Sequence, residues 1–450
     1  LTVLDASREA LPAGLLAGRF AGSALTLIAA ATRDAIAETP RPGDEVLDGV
    51  ARFVTDGPEA AMPALRDALA YTRDPEWAST VGPSSLWLAG RAAGLAWDFD
   101  AWQRCSVRLL EATRTAGPPS MLPSALTDRA ATLLLTGALD GIGALTEQET
   151  AAIEVAGGRM VPYSLLGLAA FTGRDTQARC LILAGSQDAH RRGDGAGICF
   201  VNWAAAVLYN GLGRYDDAYA AAADTVDDQP AQRFRNWALA ELVEAAVRTG
   251  RHAEAASAMT RLDEVTTASG SHWARGIRAR AYALLTHGDT AETSYREAIG
   301  HLQRTPLSPE TARAHLLFGD WLRRERRAID AREHLRRAAV AFEAMGMAAF
   351  ARRARSELSA AGEGTDRPGM HGVGGLTARE EQISRLVAEG ATNAEIATRL
   401  FITHRTVEYH LHKVFRKLAI TSRTQLARLV IDEHADVARN GAAGLPRVAS

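Results

Sequence analysis

Residues 403–418, THRTVEYHLHKVFRKL, hold a dense set of groups able to form hydrogen bonds in this chain of 450 residues. On a helix turning about 100° per residue, Arg405, Glu408, Tyr409, His412 and Arg416 share an arc of about 100°. Such a face suits the edges of base pairs. A glutamate accepts from cytosine N4, a histidine donates to guanine or thymine acceptors, and a tyrosine covers a thymine methyl. Glu408, Tyr409 and His412 are the candidate base contacts. Thr403, Arg405, Thr406, Lys413, Arg416, Lys417 and Arg423 are placed for phosphates, joined by Thr392 and Asn393 at the start of the preceding helix. The opposite arc, about 60° wide, carries Val407, Leu411, Val414 and Leu418 and is fit only for a core. A solvated basic helix could show the same pattern, so the flanking elements decide. No catalytic or metal-ligating set competes with this reading, because the remaining histidines are scattered and no nucleophile motif accompanies them.

The elements that would position this helix are legible on both sides. Thr403 is an N-cap, its hydroxyl accepting from a free backbone N–H. Upstream, Thr377 with Glu380 and Thr392 with Glu395 form two capping boxes, each opening a helix. Ile383, Leu386 and Val387 line the inner side of the first; Ile396, Ala397 and Leu400 line the second. Gly390 separates the two, and Phe401 and Ile402 fill the short connection to Thr403. Residues 422–431 read as a fourth helix. Two helices, a tight turn and a longer polar-faced helix is the helix-turn-helix order, whose second member lies in the major groove.

Through the run TNAEIATRLFITHRTVEYHLHKVFRKL and the following ITSRTQLA, residues 376–430 resemble the LuxR-type helix-turn-helix domain. The resemblance implies base reading by the positions just after Val407, and pairing of two domains through the fourth helix on inverted half-sites. The family usually has Ser where this chain has Thr403, which keeps the cap. It often has Gly where this chain has Ala419. If that exit needs a positive φ, alanine costs roughly 1 kcal/mol there. His410 stands at the family's usual histidine, and a packing or structural hydrogen-bonding role is its simpler reading.

Charge separates this piece from the rest. Residues 376–431 carry nine Lys/Arg against five Asp/Glu, whereas the remainder is net acidic. Only the C-terminal piece has the sign expected of a phosphate-binding surface. Both lysines, Lys413 and Lys417, lie in its polar-faced helix. Cys105, Cys180 and Cys199 show no CxxC spacing and read as small core residues in a reducing cytoplasm. The early apolar run, residues 20–31, is too short to span a bilayer, and the acidic residues before it argue against a secretion signal.

Residues 45–358 read as helix after helix. The pattern Gly-x-x-x-x-Ala occurs at Gly173/Ala178, Gly213/Ala218 and Gly250/Ala255, with partial matches at Gly288/Thr293 and Arg326/Ala331 and a weaker series through Asp98 and Gly137. A period slightly longer than that of tetratricopeptide units indicates degenerate helical hairpins stacked as an α-solenoid. In the best unit Ala206 and Ala218 permit close helix approach, Tyr209 fills the gap beside them, and Pro230 ends the second helix. Trp203, Tyr209, Trp237, Tyr282 and Trp321 fall on first helices of hairpins, either as packing residues or on a concave surface for a peptide or small effector. Arg323, Arg324, Arg326 and Arg327 read as a solvated run beside a turn.

The stretches LYNGLGRYDDA, WALAELVEAA, ARAHLLFGDWLRRERRAIDAREHLRRA and AFEAMG are similar to the helical repeats of the large ATP-binding LuxR-type regulators of actinobacteria. Those proteins normally carry an ATPase in front. This sequence has no Gly-x-x-x-x-Gly-Lys-Ser/Thr, and no lysine before Lys413, so no P-loop is expected within it. Opening on Leu1, it reads as a fragment or a naturally shortened member. The resulting expectation is an all-α chain: an N-terminal helical segment (1–44), tetratricopeptide-like repeats (45–358), a Gly-rich flexible linker (359–375), a four-helix LuxR-type domain (376–431) and a disordered tail (432–450). Its expected function is sequence-specific regulation of transcription from the cytoplasm, without cofactor or membrane. Double-stranded DNA is the partner, bound as a homodimer, with RNA polymerase or an effector meeting the solenoid. The alternative is a protein-interaction scaffold that binds DNA weakly.

Overall fold

Small residues at fixed intervals set the architecture. The computed structural model describes residues 3–38, 44–74, 77, 81–115, 117–155, 158, 160–226, 231–362, 376, 378–400 and 403–430; Pro230 and the greater part of the linker and tail lie outside them. Every regular element among the described residues is helical. The chain divides into two units, residues 1–362 and 363–450. The first unit begins with α1 (Val3–Ala17), α2 (Ala24–Glu38), α3 (Glu45–Asp56) and α4 (Pro58–Ala70). It continues through α5 (Pro83–Leu95), α6 (Phe99–Thr115), α7 (Leu122–Thr136), α8 (Ile142–Val155) and α9 (Tyr163–Thr172). Then follow α10 (Asp175–Arg192), α11 (Gly195–Leu212), α12 (Tyr215–Val226), α13 (Arg233–Arg248) and α14 (His252–Ser269). It closes with α15 (His272–Leu285), α16 (Gly288–Leu302), α17 (Ser308–Arg324), α18 (Ala328–Ala344) and α19 (Ala348–Ala360). This is a tetratricopeptide-like α-solenoid.

The repeated Gly-x-x-x-x-Ala pattern has one physical meaning. Gly213 takes φ +73°, and its N–H donates to the Asn210 carbonyl at 3.2 Å while the Arg214 N–H donates to Tyr209 at 2.8 Å. That is a helix ended by a left-handed residue, which satisfies the last carbonyls. The Arg214 carbonyl then accepts from the Ala218 N–H at 3.0 Å, opening the next helix with Ala218 fully buried. Gly173/Ala178 and Gly250/Ala255 repeat the arrangement, and Arg326 adopts it at φ +61° without glycine's freedom. Gly288 departs from it: it begins α16, and Ala291 is the buried alanine there. Upstream, Trp97 holds the left-handed position at φ +56° beside Asp98.

The solenoid coils back on itself, so its inner side is occupied. Gln232 donates to the Leu15 carbonyl, Arg66 donates to Ala268 and Ser269, and the Ser269 hydroxyl donates to Ala96 at 2.6 Å. Aromatic rings fill the centre, with Trp102 5.3 Å from Trp237, Trp97 5.0 Å from Trp273 and Phe234 5.4 Å from Trp203. Trp203, Trp237 and Trp321 are therefore core residues. Tyr209 is half-buried beneath the Arg214 guanidinium, and Tyr282 is exposed. Leu11, Leu15, Leu25 and Ala29 belong to the same continuous core, so α1 and α2 are part of the repeat unit. Helix α11 is long and apolar enough to cross a membrane, yet it is mostly buried within this core.

Buried charges brace the coil. Arg313 of α17 pairs with Glu241 at 2.5 Å and Glu244 at 2.6 Å, both on α13, and Arg353 of α19 reaches Glu244 at 2.7 Å. Burial opposes ionisation of Glu244, but the charges of Arg313 and Arg353 outweigh it and hold the carboxyl well below its ordinary range. Asp320 likewise collects Arg248, Arg323 and Arg324. The arginine run is thus not merely solvated: Arg327 pairs with Glu292 and Asp330, both at 2.7 Å. Cys105 and Cys199 are buried, whereas Cys180, read as a core residue from its type, is exposed. Its place on α10 falls outside the apolar stripe, which one-residue composition does not reveal.

Candidate DNA-binding surface

The second unit builds its own core from periodic apolar residues. Helices α20 (Ala378–Ala388), α21 (Asn393–Arg399) and α22 (His404–Lys417) are followed by a helix over 423–430, α23. Ile383, Val387, Ile396, Val407, Leu411, Val414, Leu418, Leu426 and Val430 are all buried together. Full burial of a Val or Leu is worth about 1.5–3 kcal/mol each, which fixes which face of α22 turns inward. The polar face is consequently outward: Glu408, His412 and Arg416 are exposed, as is Tyr409 at 57 %.

The caps set the helix directions. The Thr392 N–H donates to the Glu395 carboxylate at 2.7 Å, and the Glu395 N–H returns to the Thr392 hydroxyl at 3.3 Å, a reciprocal capping box. These bonds to Thr392 hold the Glu395 carboxyl below its ordinary value. At α22 the Thr403 hydroxyl accepts from the Thr406 N–H at 3.2 Å. Thr377, Phe401 and Ile402 lie outside the described residues, as does the side chain of Arg405. Ala419 exits α22 at φ +53°, the conformation in which alanine is strained.

On the outward face Tyr409 and Lys413 are coupled, with the ammonium 4.4 Å from the ring centroid. Glu408 is 3.4 Å from His404, an i,i+4 neighbour that the spacing argument passed over although the spacing itself signals it. His410 lies between the faces, its Nδ1 buried without a hydrogen-bond partner among the described residues and its ring 5.7 Å from Tyr409. Thr392 and Asn393 stand together at the start of α21, and Thr403 and Thr406 at the start of α22.

Two of the cations assigned to phosphate by spacing have internal partners. Lys417 reaches back to Glu380 of α20 at 2.5 Å, where the carboxylate is almost fully buried and the lysine about a third exposed. Arg423 donates to Asn393 Oδ1 at 2.8 Å and to the Ala391 carbonyl, tying α23 to the start of α21. Sequence reasoning missed both because each joins residues more than 25 positions apart. Arg416 remains exposed beside them.

Residues 375–430 match the bacterial regulatory proteins of the luxR family. This is a LuxR-family helix-turn-helix domain. The chain is 45 % identical over 78 residues to an HTH-type transcriptional regulator of Mycobacterium bovis, covering 17 % of this chain and 8 % of that protein. It is 50 % identical over 52 residues to the transcriptional regulatory protein LiaR of Bacillus subtilis, covering 12 % and 25 %. It is 48 % identical over 50 residues to the CsgBAC operon transcriptional regulatory protein of Escherichia coli, covering 11 % and 23 %. Each match spans a quarter or less of the relative's own length. The LuxR-type domain is a DNA-binding module of transcriptional regulators.

Proposed function

We propose that this protein is a sequence-specific transcription regulator that reads double-stranded DNA with α22. The exposed face of that helix, with Glu408, Tyr409 and His412 opposite a fully buried Val407 and Val414, is the observation that carries the reading. Those three side chains meet base edges. Thr392, Asn393, Thr403, Arg405, Thr406, Lys413 and Arg416 meet phosphates, the cations by charge and the hydroxyls and helix starts by hydrogen bonds. Lys417 and Arg423 instead orient α22 and α23 through Glu380 and Asn393. Helix α23 pairs two copies on an inverted repeat, and the solenoid receives an effector or RNA polymerase. The chain acts in the cytoplasm and performs no catalysis.

Selection of the full chain against a randomised duplex library at two salt concentrations tests this. Enrichment of an inverted repeat is expected. Lys413→Ala or Arg416→Ala should weaken binding to all sequences and flatten the salt slope by about one unit each. Glu408→Ala should relax preference at one base pair by about 1–3 kcal/mol and leave the slope unchanged. Binding that is sequence-indifferent and untouched by all three substitutions would overturn the proposal.

A further inference from the structure

A cavity of about 510 Å³ lies inside the repeat unit, walled by α1, α5, α7, α8, α9, α10, α11 and α13. Leu16, Trp87, Ile153, Met160, Phe200 and Phe234 supply apolar walls. The volume falls within the range of small-molecule sites, roughly 300–1,000 Å³. The charged groups of its lining are Arg91, Arg192, Arg233, Asp128 and Asp194. Four of them are accounted for within the fold.

Arg233 pairs with Asp128 at 2.5 Å, and the second oxygen of Asp128 accepts from the Trp102 indole N–H at 3.0 Å. Gly94 permits this arrangement, since a Cβ there would meet the Arg233 side chain at 2.6 Å. Arg192 pairs with Asp194 at 3.3 Å and with Asp188 at 3.0 Å. The Tyr163 hydroxyl closes the set, donating to Asp194 and accepting from Arg192, both at 3.0 Å. Arg91 is left over. Its guanidinium lies 4.5 Å from the Trp87 ring centroid, its Nε is buried without an acceptor, and no carboxylate among the described residues pairs with it. Burial and then the nearby charge of Arg233 pull its pKa down to about 9, as expected of a cation enclosed without a counterion.

We infer that this cavity binds an organic anion with an apolar body, its carboxylate, sulfonate or phosphate group set against Arg91 and its body against Trp87, Phe200 and Phe234. Guanidinium is suited to such groups because its planar fork offers parallel N–H donors. The inference deepens the effector part of the proposed function and rests on it. It also fits the general design of ligand sites, where a few polar groups orient a molecule held by apolar walls.

The full chain is titrated calorimetrically with octanoate, naphthalene-1-sulfonate and neutral octanamide, beside Arg91→Met and Arg91→Lys. At least one anion should bind the wild type one-to-one, at least tenfold more tightly than octanamide. Arg91→Met should remove that preference and Arg91→Lys should retain part of it. Arg91→Met leaves no carboxylate among the described residues unpaired and gives up only the contact with Trp87, so its melting temperature should stay close to that of the wild type. Failure of both anions to bind, or unchanged binding by Arg91→Met, would each overturn the site. DNA affinity measured with and without the bound anion separates the two ideas. Anion binding that leaves DNA affinity unchanged sinks the effector role, while absent anion binding with intact DNA recognition sinks only the cavity.

Discussion

Lys413 and Lys417 are four positions apart on one helix and have different work. Lys413 lies against the exposed Tyr409 ring, whereas Lys417 neutralises a carboxylate that water hardly reaches. Removing Lys417 takes one cation away from the buried Glu380 carboxylate, at a cost on the order of 1–2 kcal/mol given that the lysine itself is partly solvated. Lys417→Ala should therefore lower the melting temperature of the DNA-binding unit, followed by far-UV circular dichroism, while Lys413→Ala should not. Ala419 offers the opposite change. At φ +53° a glycine would relieve strain, so Ala419→Gly should raise that melting temperature by an amount equivalent to about 1 kcal/mol less the added freedom of the unfolded chain. The sequence makes the polar face of α22 readable because its signal is local periodicity. The partners of Lys417 and Arg423 are not readable, since only tertiary approach brings Glu380 and Asn393 to them.

At the level of elements, the hairpins carry their own signature and conceal their closure. Gly173, Gly213 and Gly250 mark turns because a left-handed helix end selects glycine, and Ala178, Ala218 and Ala255 mark contacts because a larger side chain would not fit. Trp97 occupies the same backbone position, held there by packing against Trp237 and Trp273, and its residue type gives no hint of a turn. The coiling of α1–α6 against later helices is equally hidden, because no short-range pattern specifies which hairpins meet. One helix pair also has a pH dependence that can be signed. His315 of α17 and His334 of α18 stand Nδ1 to Nδ1 at 2.8 Å, so one donates and the other must be unprotonated there. Burial, then the neighbouring His334 and Arg337 charges, lower the pKa of His315 from 6.5 to about 4. The unfolded chain takes up that proton at the higher pH, so stability is complete above about 6.5 and falls as pH drops toward 4. The loss approaches about 3 kcal/mol at most. Thermal melts between pH 7 and pH 4 should show it, and His315→Gln should flatten that portion of the curve.

Over the whole molecule, two cores with no residue in common stand behind two units. Scanning calorimetry of the full chain should resolve a large transition and a small one, and Lys417→Ala should move only the small one. A single transition displaced as a whole by that substitution would mean that the units unfold together. The charge asymmetry follows the same division, with both lysines in the smaller unit and only arginine and histidine as basic side chains in the larger. Amine-directed acylation therefore has only two side chains to find, and both lie on α22. Acylation of Lys413 would erase charge from the outward face, while Lys417 is shielded by its bond to Glu380. A mass shift confined to Lys413, and suppressed when duplex is added, would report occupancy of this helix on the unmodified protein, with no probe introduced.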